Sequence, residues 1–128
     1  MAANGNPGVS TLDTHAVRTL IELVGDDREA LAEIVDAFVD EAPQRLAELR
    51  QGIATGDAAL VGRAAHTLKS NAHTFGAGTL AALCQEIETA ARLGDLAPAQ
   101  TRIDELDEAW REIRPGLDAL RAGGSDGE

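Results

Sequence analysis

Residues 31–53, LAEIVDAFVDEAPQRLAELRQGI, repeat apolar side chains every three or four positions. This spacing predicts a long helix with one buried face. The predicted face consists of Leu31, Ile34, Phe38, Ala42, Leu46, Leu49 and Ile53. Pro43 removes a backbone donor, so a bend is expected near residues 39–42, but the face stays in phase beyond it and favours one bent helix. Asp26, with Glu29 three residues later, predicts the N-terminal cap.

Four further segments show the same helical period. They are predicted at residues 14–24, 58–74 and 78–93, and over a last segment that starts after Asp95 and reaches about residue 120. Leu60 in the third helix and Leu83 in the fourth are among the side chains expected to face inward. Strand-like alternation is lacking, so the fold class is all-α. We predict an antiparallel up-down four-helix bundle over residues 9–120, with the short first helix as an additional N-terminal element. Residues 1–8 and 121–128 are rich in Gly, Asn or acidic residues and are predicted to be disordered.

Composition excludes several classes of protein. The 128 residues carry a net charge of −11, which argues against binding nucleic acid or an anionic membrane. Cys84 is the single cysteine, so an intrachain disulfide or a cysteine-based zinc site is not expected, and the residue is predicted to be buried. No apolar run approaches the roughly 20 residues that cross a bilayer, and no signal peptide is evident. A cytoplasmic monomer is therefore expected.

The third predicted helix has an outer face that carries reactive groups. Gly62, His66, Ser70 and His73 follow one another at helical spacing, and Lys69, the only lysine of the chain, lies three residues after His66. A glycine inside a helix costs roughly 1 kcal/mol relative to alanine. One reason to tolerate that cost is to clear the surface above the imidazole for another protein.

These groups suit phosphoryl transfer. A neutral imidazole, with an ordinary pKa near 6.5, is a nucleophile at neutral pH, and Lys69 can offset the charge that a phosphoryl group brings to His66. The residue that holds the second ring nitrogen stays open. His73 is interpreted as a surface residue, because two helical turns, roughly 10 Å, separate it from His66 and disfavour a shared metal. Arg92 is interpreted first as a cation at a helix C-terminus, and a role near the phosphoryl group is the less favoured alternative.

The segment His66-Thr-Leu-Lys69, followed by Phe75-Gly76-Ala77, resembles the phosphorylation motif of the histidine phosphotransfer (HPt) family. The next helix is similar to the family as well, in the segments Leu83-Cys84, Ile87-Glu88 and Ala91-Arg92. The resemblance implies a four-helix bundle that relays phosphoryl groups between receiver-domain aspartates. It implies that His66 is the phospho-acceptor and that Lys69 stabilises charge. It also implies that Gly76 breaks the helix.

The resemblance implies response-regulator receiver domains and a sensor histidine kinase, hybrid or separate, as partners. Gly62, Ser70, His73 and Gly76 are predicted to dock them. This chain is expected to bind no cofactor, and Mg²⁺ is expected on the receiver. An ATP-dependent kinase activity is not expected, since a P-loop and a Gly-rich nucleotide lid are missing. The family pattern usually has Gly-Ser-Ser after the lysine, whereas residues 70–72 are Ser-Asn-Ala. The alternative is a helical adaptor that binds the same partners without carrying phosphate.

Overall fold

The computed structural model describes residues 12–123, which form five α-helices and no strand. The helices are α1 (Thr14–Leu23), α2 (Arg28–Thr55), α3 (Ala58–Thr74), α4 (Gly78–Arg92) and α5 (Ala97–Gly123). α3 packs against α2 and α4, and α5 packs against the same two helices from the other side. α1 lies against α3. The predicted all-α class is confirmed. Among the described helices, none has a stretch long and apolar enough to span a membrane.

Aspartates cap the first three helices. Asp13 caps α1, and its Oδ2 accepts a hydrogen bond from the Ala16 backbone N–H at 3.1 Å. The cap of α2 is Asp27 rather than the predicted Asp26. Asp26 adopts φ +63° and belongs to the turn after Gly25, so it cannot act as the cap. Asp27 Oδ1 instead accepts hydrogen bonds from the backbone N–H groups of Glu29 and Ala30. These are two of the donors that the start of a helix leaves without partners.

The proline in α2 does not divide the helix. α2 runs unbroken from Arg28 to Thr55 with Pro43 exposed inside it, as the in-phase apolar face predicted. The face is rotated slightly from the prediction. Val35 is buried, while Ile34 and Ile53 are only partly buried. Similarly, Val61 is buried where Leu60 was expected, and Leu83 is only partly buried, whereas Cys84 is buried as predicted. The packed helices on both sides select residues that a single-helix pattern cannot distinguish.

The few aromatic residues meet in the core. Phe38 of α2 stacks on Phe75 with ring centroids 4.9 Å apart, and it meets Trp110 of α5 edge-on at 5.0 Å. Such contacts add to the burial of apolar area and fix the relative positions of three segments. Elsewhere the core is built from Leu, Ile, Val and Ala side chains together with Cys84.

The last helix continues beyond the predicted end of the bundle. α5 extends to Gly123, three residues into the segment predicted to be disordered from residue 121. Arg121 explains the extension, because it forms an ion pair with Asp36 of α2 and remains tied to the bundle. The predictions for residues 1–8 and 124–128 fall outside the described residues.

We expect alanine at position 76 to destabilise the protein strongly. Gly76 has φ +70°, and a Cβ there would lie 2.7 Å from Asp13 Cβ and 2.8 Å from the Asp13 backbone nitrogen. The combined cost of the left-handed backbone and the clash is about 2–4 kcal/mol in the free energy of unfolding, measured with urea. Gly56→Ala is the matched control, since Gly56 has φ +72° but open space around it. Equal losses of unfolding free energy in Gly76→Ala and Gly56→Ala would contradict the predicted clash.

Candidate functional site

His66 lies in the middle of α3 with its side chain 57% exposed. Ala65 and Leu68, its neighbours on the helix, are fully buried and fix the orientation of this face. The ring is held from α4: His66 Nδ1 lies 2.9 Å from Glu88 Oε2. Because an ionised carboxylate only accepts hydrogen bonds, Nδ1 carries the proton and donates it. The lone pair of the neutral ring is therefore on Nε2, which forms no hydrogen bond within residues 12–123.

Glu88 is the buried centre of the site. Its side chain is only 3% exposed, and it is the one charged residue in the core of the described chain. Lys69 Nζ lies 2.6 Å from Oε1, and Arg92 Nη2 donates to Oε2 at 2.6 Å. Burial raises the pKa of the Glu88 carboxyl, but hydrogen bonds and charge from Lys69 and His66 outweigh it and hold the pKa below its ordinary value. The carboxylate is thus ionised and stabilised by three partners.

Lys69 is held in reach of the imidazole. Its side chain is 17% exposed, and Nζ donates to Gln85 Oε1 at 3.0 Å as well as contacting Glu88. Gln85 is itself oriented, since its Nε2 donates to Thr89 Oγ1 at 2.8 Å. One face of α4 carries Gln85, Glu88 and Arg92 at helical spacing. This face therefore supplies the side chains that contact His66 and Lys69 on α3.

Cys84 lies on α4 one turn before Glu88 but cannot share its chemistry. The thiol is fully buried. Burial raises its pKa to about 12, so it stays protonated at neutral pH and is not a competing nucleophile.

The predicted site residues separate into two groups. His66, Lys69 and Gly62 lie together: Gly62 and His66 line a groove of about 730 Å³, and Lys69 shares Glu88 with His66. Ser70 and His73 are exposed on α3 but do not line this groove. Gly76 packs inside the chain against α1, where its carbonyl accepts a hydrogen bond from the Asp13 backbone at 2.9 Å.

One residue of the site was not recognised from the sequence, and a second was first interpreted in another role. Glu88 is the residue that holds the second ring nitrogen, and Arg92 pairs with it beside His66 rather than acting only as a C-terminal cation. A signal for Glu88 was present: it follows Ile87 on the face that carries Cys84 and Ala91, where a carboxylate is unexpected unless it is paired. Within residues 12–123, His, Cys, Asp and Glu form no group of three or more that could hold a metal.

A sequence model of the Hpt domain family matches residues 33–123, which include every member of this cluster. The chain belongs to the Hpt domain family. It is therefore a histidine phosphotransfer domain of a phosphorelay. Helices α3 and α4 lie wholly within the matched range.

One solved structure is similar over nearly the whole chain. It is the crystal structure of histidine-containing phosphotransfer protein B (HptB) from Pseudomonas aeruginosa PAO1, with 28% sequence identity and a TM-score of 0.79. The alignment covers 92% of this Hpt domain and 97% of HptB. Comparison with curated proteins found no match.

One consequence of the Glu88 cluster is a pH-dependent stability. A carboxyl whose pKa is lower in the folded state than its ordinary 4.5 stabilises the fold above about pH 4.5. That contribution is lost as the pH falls through the folded pKa. We therefore expect the difference in unfolding free energy between wild type and Glu88→Gln to shrink between pH 6 and pH 3. Urea titrations across this range measure it, and a constant difference would contradict the prediction.

Proposed function

We propose that His66 is the phospho-acceptor of this domain. It takes a phosphoryl group from the aspartyl phosphate of one receiver domain and passes it to the aspartate of another. The observation that carries the proposal is the hydrogen bond from Nδ1 to Glu88, because it leaves the Nε2 lone pair on the exposed side of the ring.

The phosphoryl group can move to His66 without any proton leaving the site. The Nε2 lone pair attacks phosphorus, the P–O bond to the aspartate breaks, and the aspartate departs as a carboxylate. The ring keeps its Nδ1 proton and becomes a cation, which the buried Glu88 carboxylate stabilises at 2.9 Å. When the phosphoryl group moves to the next aspartate, Nε2 leaves as neutral imidazole, so one hydrogen bond serves both directions.

Lys69 supplies positive charge for the phosphoryl oxygens. Its ammonium is mobile on a four-carbon chain, and in the structure it lies 2.6 Å from Glu88 Oε1. Because the same carboxylate contacts His66, the ammonium is close to the imidazole ring. Phosphoryl transfer needs positioning and charge neutralisation more than covalent participation by the protein. The remaining neutralisation comes from Mg²⁺, which we place on the receiver together with the reacting aspartate, while this chain binds no cofactor.

We also propose the predicted up-down arrangement for α2 to α5. Three sets of contacts support it, since residue numbers rise on one helix as they fall on its neighbour. α2 and α5 are joined by Asp36–Arg121 and Arg50–Asp107. α3 and α4 are joined by His66–Glu88 and Lys69–Gln85. α2 and α3 approach at Gly52–Val61 and Glu41–Asn71. Monomeric state and cytoplasmic location stay predictions.

A phosphotransfer profile tests the proposal. Receiver domains labelled on their aspartates are incubated with the protein and Mg²⁺, and the label is followed over time. We expect at least one receiver to lose its label to this chain, as an acid-labile and alkali-stable phosphoramidate on a peptide containing His66. Label on any other peptide would remove the assignment.

A further inference from the structure

We infer that the receiver docks to one side of His66, on the groove between the start of α3 and the end of α4. It meets Arg63 with a carboxylate and Leu93 with an apolar side chain. This inference rests on the proposed function and specifies which surface selects the partner.

The groove extends from the imidazole mainly in one direction, toward the N-terminus of α3. It is lined on α3 by Ala58, Ala59 and Gly62, and on the other side by Ala91 and Gly94, with His66 at its inner end. Ser70 and His73, beyond His66 on the same helix, take no part in it. A partner that fills the groove therefore approaches Nε2 from the N-terminal side of α3.

Gly62 indicates that the groove is kept open for a ligand rather than for helix packing. A Cβ at this position would meet Ala91 Cβ at 3.6 Å, an ordinary contact, and no other non-local atom within 4 Å. The fold thus has room for alanine, which is the better helix former. What alanine would take away is space in the groove beside the imidazole.

Arg63 provides an unused positive charge at the groove. Six of the ten arginines form ion pairs with acidic side chains: Arg45, Arg50, Arg92, Arg102, Arg111 and Arg121. Arg63 lines the groove and is exposed, and its side chain forms no ion pair or hydrogen bond within residues 12–123. In a chain of net charge −11, α3 carries Arg63 and Lys69 and no acidic residue.

The chemistry of the donor explains this charge. A protein that holds Mg²⁺ next to a phosphorylated aspartate needs further carboxylates around the metal, so its rim is acidic. Arg63, one turn from His66, faces such a rim without first having to break a pair in its own chain. The acidic surface elsewhere on this domain repels the same rim, which restricts docking to the groove.

Leu93 adds an exposed apolar side chain next to the groove, although it does not itself line it. It is 81% exposed, and its chain neighbours Arg92 and Gly94 both line the groove. The other large hydrophobic side chain exposed in the described chain, Leu23 at 78%, lies at the end of α1. Leu23, exposed like Leu93, and Arg18, exposed and like Arg63 without an ion pair among the described residues, provide matched controls outside the groove.

Binding of unphosphorylated receiver domains to the full chain tests the inference without any phosphoryl chemistry. The receiver that binds the wild type most tightly is titrated against Arg63→Glu, Leu93→Asp and the controls Arg18→Glu and Leu23→Asp. We expect Kd to rise about tenfold or more for the two groove variants and less than about twofold for the controls. Wild-type affinity should fall with added salt, and that dependence should weaken in Arg63→Gln.

Equal effects at groove and control positions would overturn the inference, as would unchanged Kd in both groove variants or no binding by any receiver. These outcomes are separable from failure of the proposed function. Unaltered binding by both groove variants together with label on His66 overturns the docking surface alone. Label on a residue other than His66, with weakened binding by Arg63→Glu, overturns the acceptor assignment alone. Circular dichroism of all variants shows whether each is folded.

Discussion

His66→Gln is expected to abolish phosphoryl acceptance, with transfer from a labelled receiver reduced by more than about a thousandfold. Glutamine can still fill the space beside Glu88, but its amide nitrogen has no lone pair available for attack on phosphorus. The loss is therefore chemical, and binding of the receiver should change little. Rapid-quench measurements of label transfer give the rate, and a binding titration gives the affinity.

His73→Gln is the matched control for this variant. His73 lies two turns further along α3, exposed like His66, but its side chain forms no hydrogen bond or ion pair with Glu88. We expect its transfer rate to remain within about twofold of the wild type. Retention of label by His66→Gln would contradict the acceptor assignment. Intact downstream signalling by an unlabelled His66→Gln protein would favour the adaptor that the sequence left as an alternative.

The helices were largely predictable because each carries its own signal. The apolar period of residues 31–53 runs through Pro43 without a change of phase, and the structure keeps one helix there. Errors occurred where two neighbouring residues offer the same chemistry. Asp26 and Asp27 are both good caps, and only the left-handed backbone of Asp26 decides between them. The end of α5 was missed because its stabilising partner, Asp36, is far away in the sequence.

The site was predictable only on the helix that carries the reactive histidine. His66 and Lys69 are three residues apart, so a local pattern could show them on one face. Glu88 lies 22 residues from His66, and the hydrogen bond depends on how α3 and α4 pack. Arg92 shows the same limit: its position near a helix end suggested the helix dipole, whereas its contact with Glu88 places it beside His66. Ser70 and His73 share the exposed face of α3 but do not line the groove.

The carboxylate of Glu88 is expected to contribute charge to the reaction as well as orientation. Glu88→Gln keeps the size of the side chain and an oxygen that accepts from His66 Nδ1, but removes the negative charge that balances the cationic ring. We expect transfer to slow about tenfold in Glu88→Gln, as one pKa unit of lost stabilisation corresponds to 1.36 kcal/mol. Glu88→Ala also frees the ring to rotate and leaves Lys69 without its buried partner. We expect about a hundredfold slower transfer and about 2 kcal/mol lower unfolding free energy.

The contributions of charge and orientation are separated by comparing the two variants in single-turnover transfer. Saturating receiver is used so that receiver affinity does not affect the rate. Thr89→Ala serves as a control on the same helix, since Thr89 contacts Gln85 but not the carboxylate. If Glu88 only orients the ring, Glu88→Gln should match the wild type and only Glu88→Ala should be slow. If the charge acts on the developing imidazolium, Glu88→Gln is slow in accepting the phosphoryl group but not in donating it, because the cationic ring forms in the first step and becomes neutral again in the second. The Nδ1 proton signal in NMR spectra should persist in Glu88→Gln and be lost in Glu88→Ala, which shows that orientation and charge have been separated.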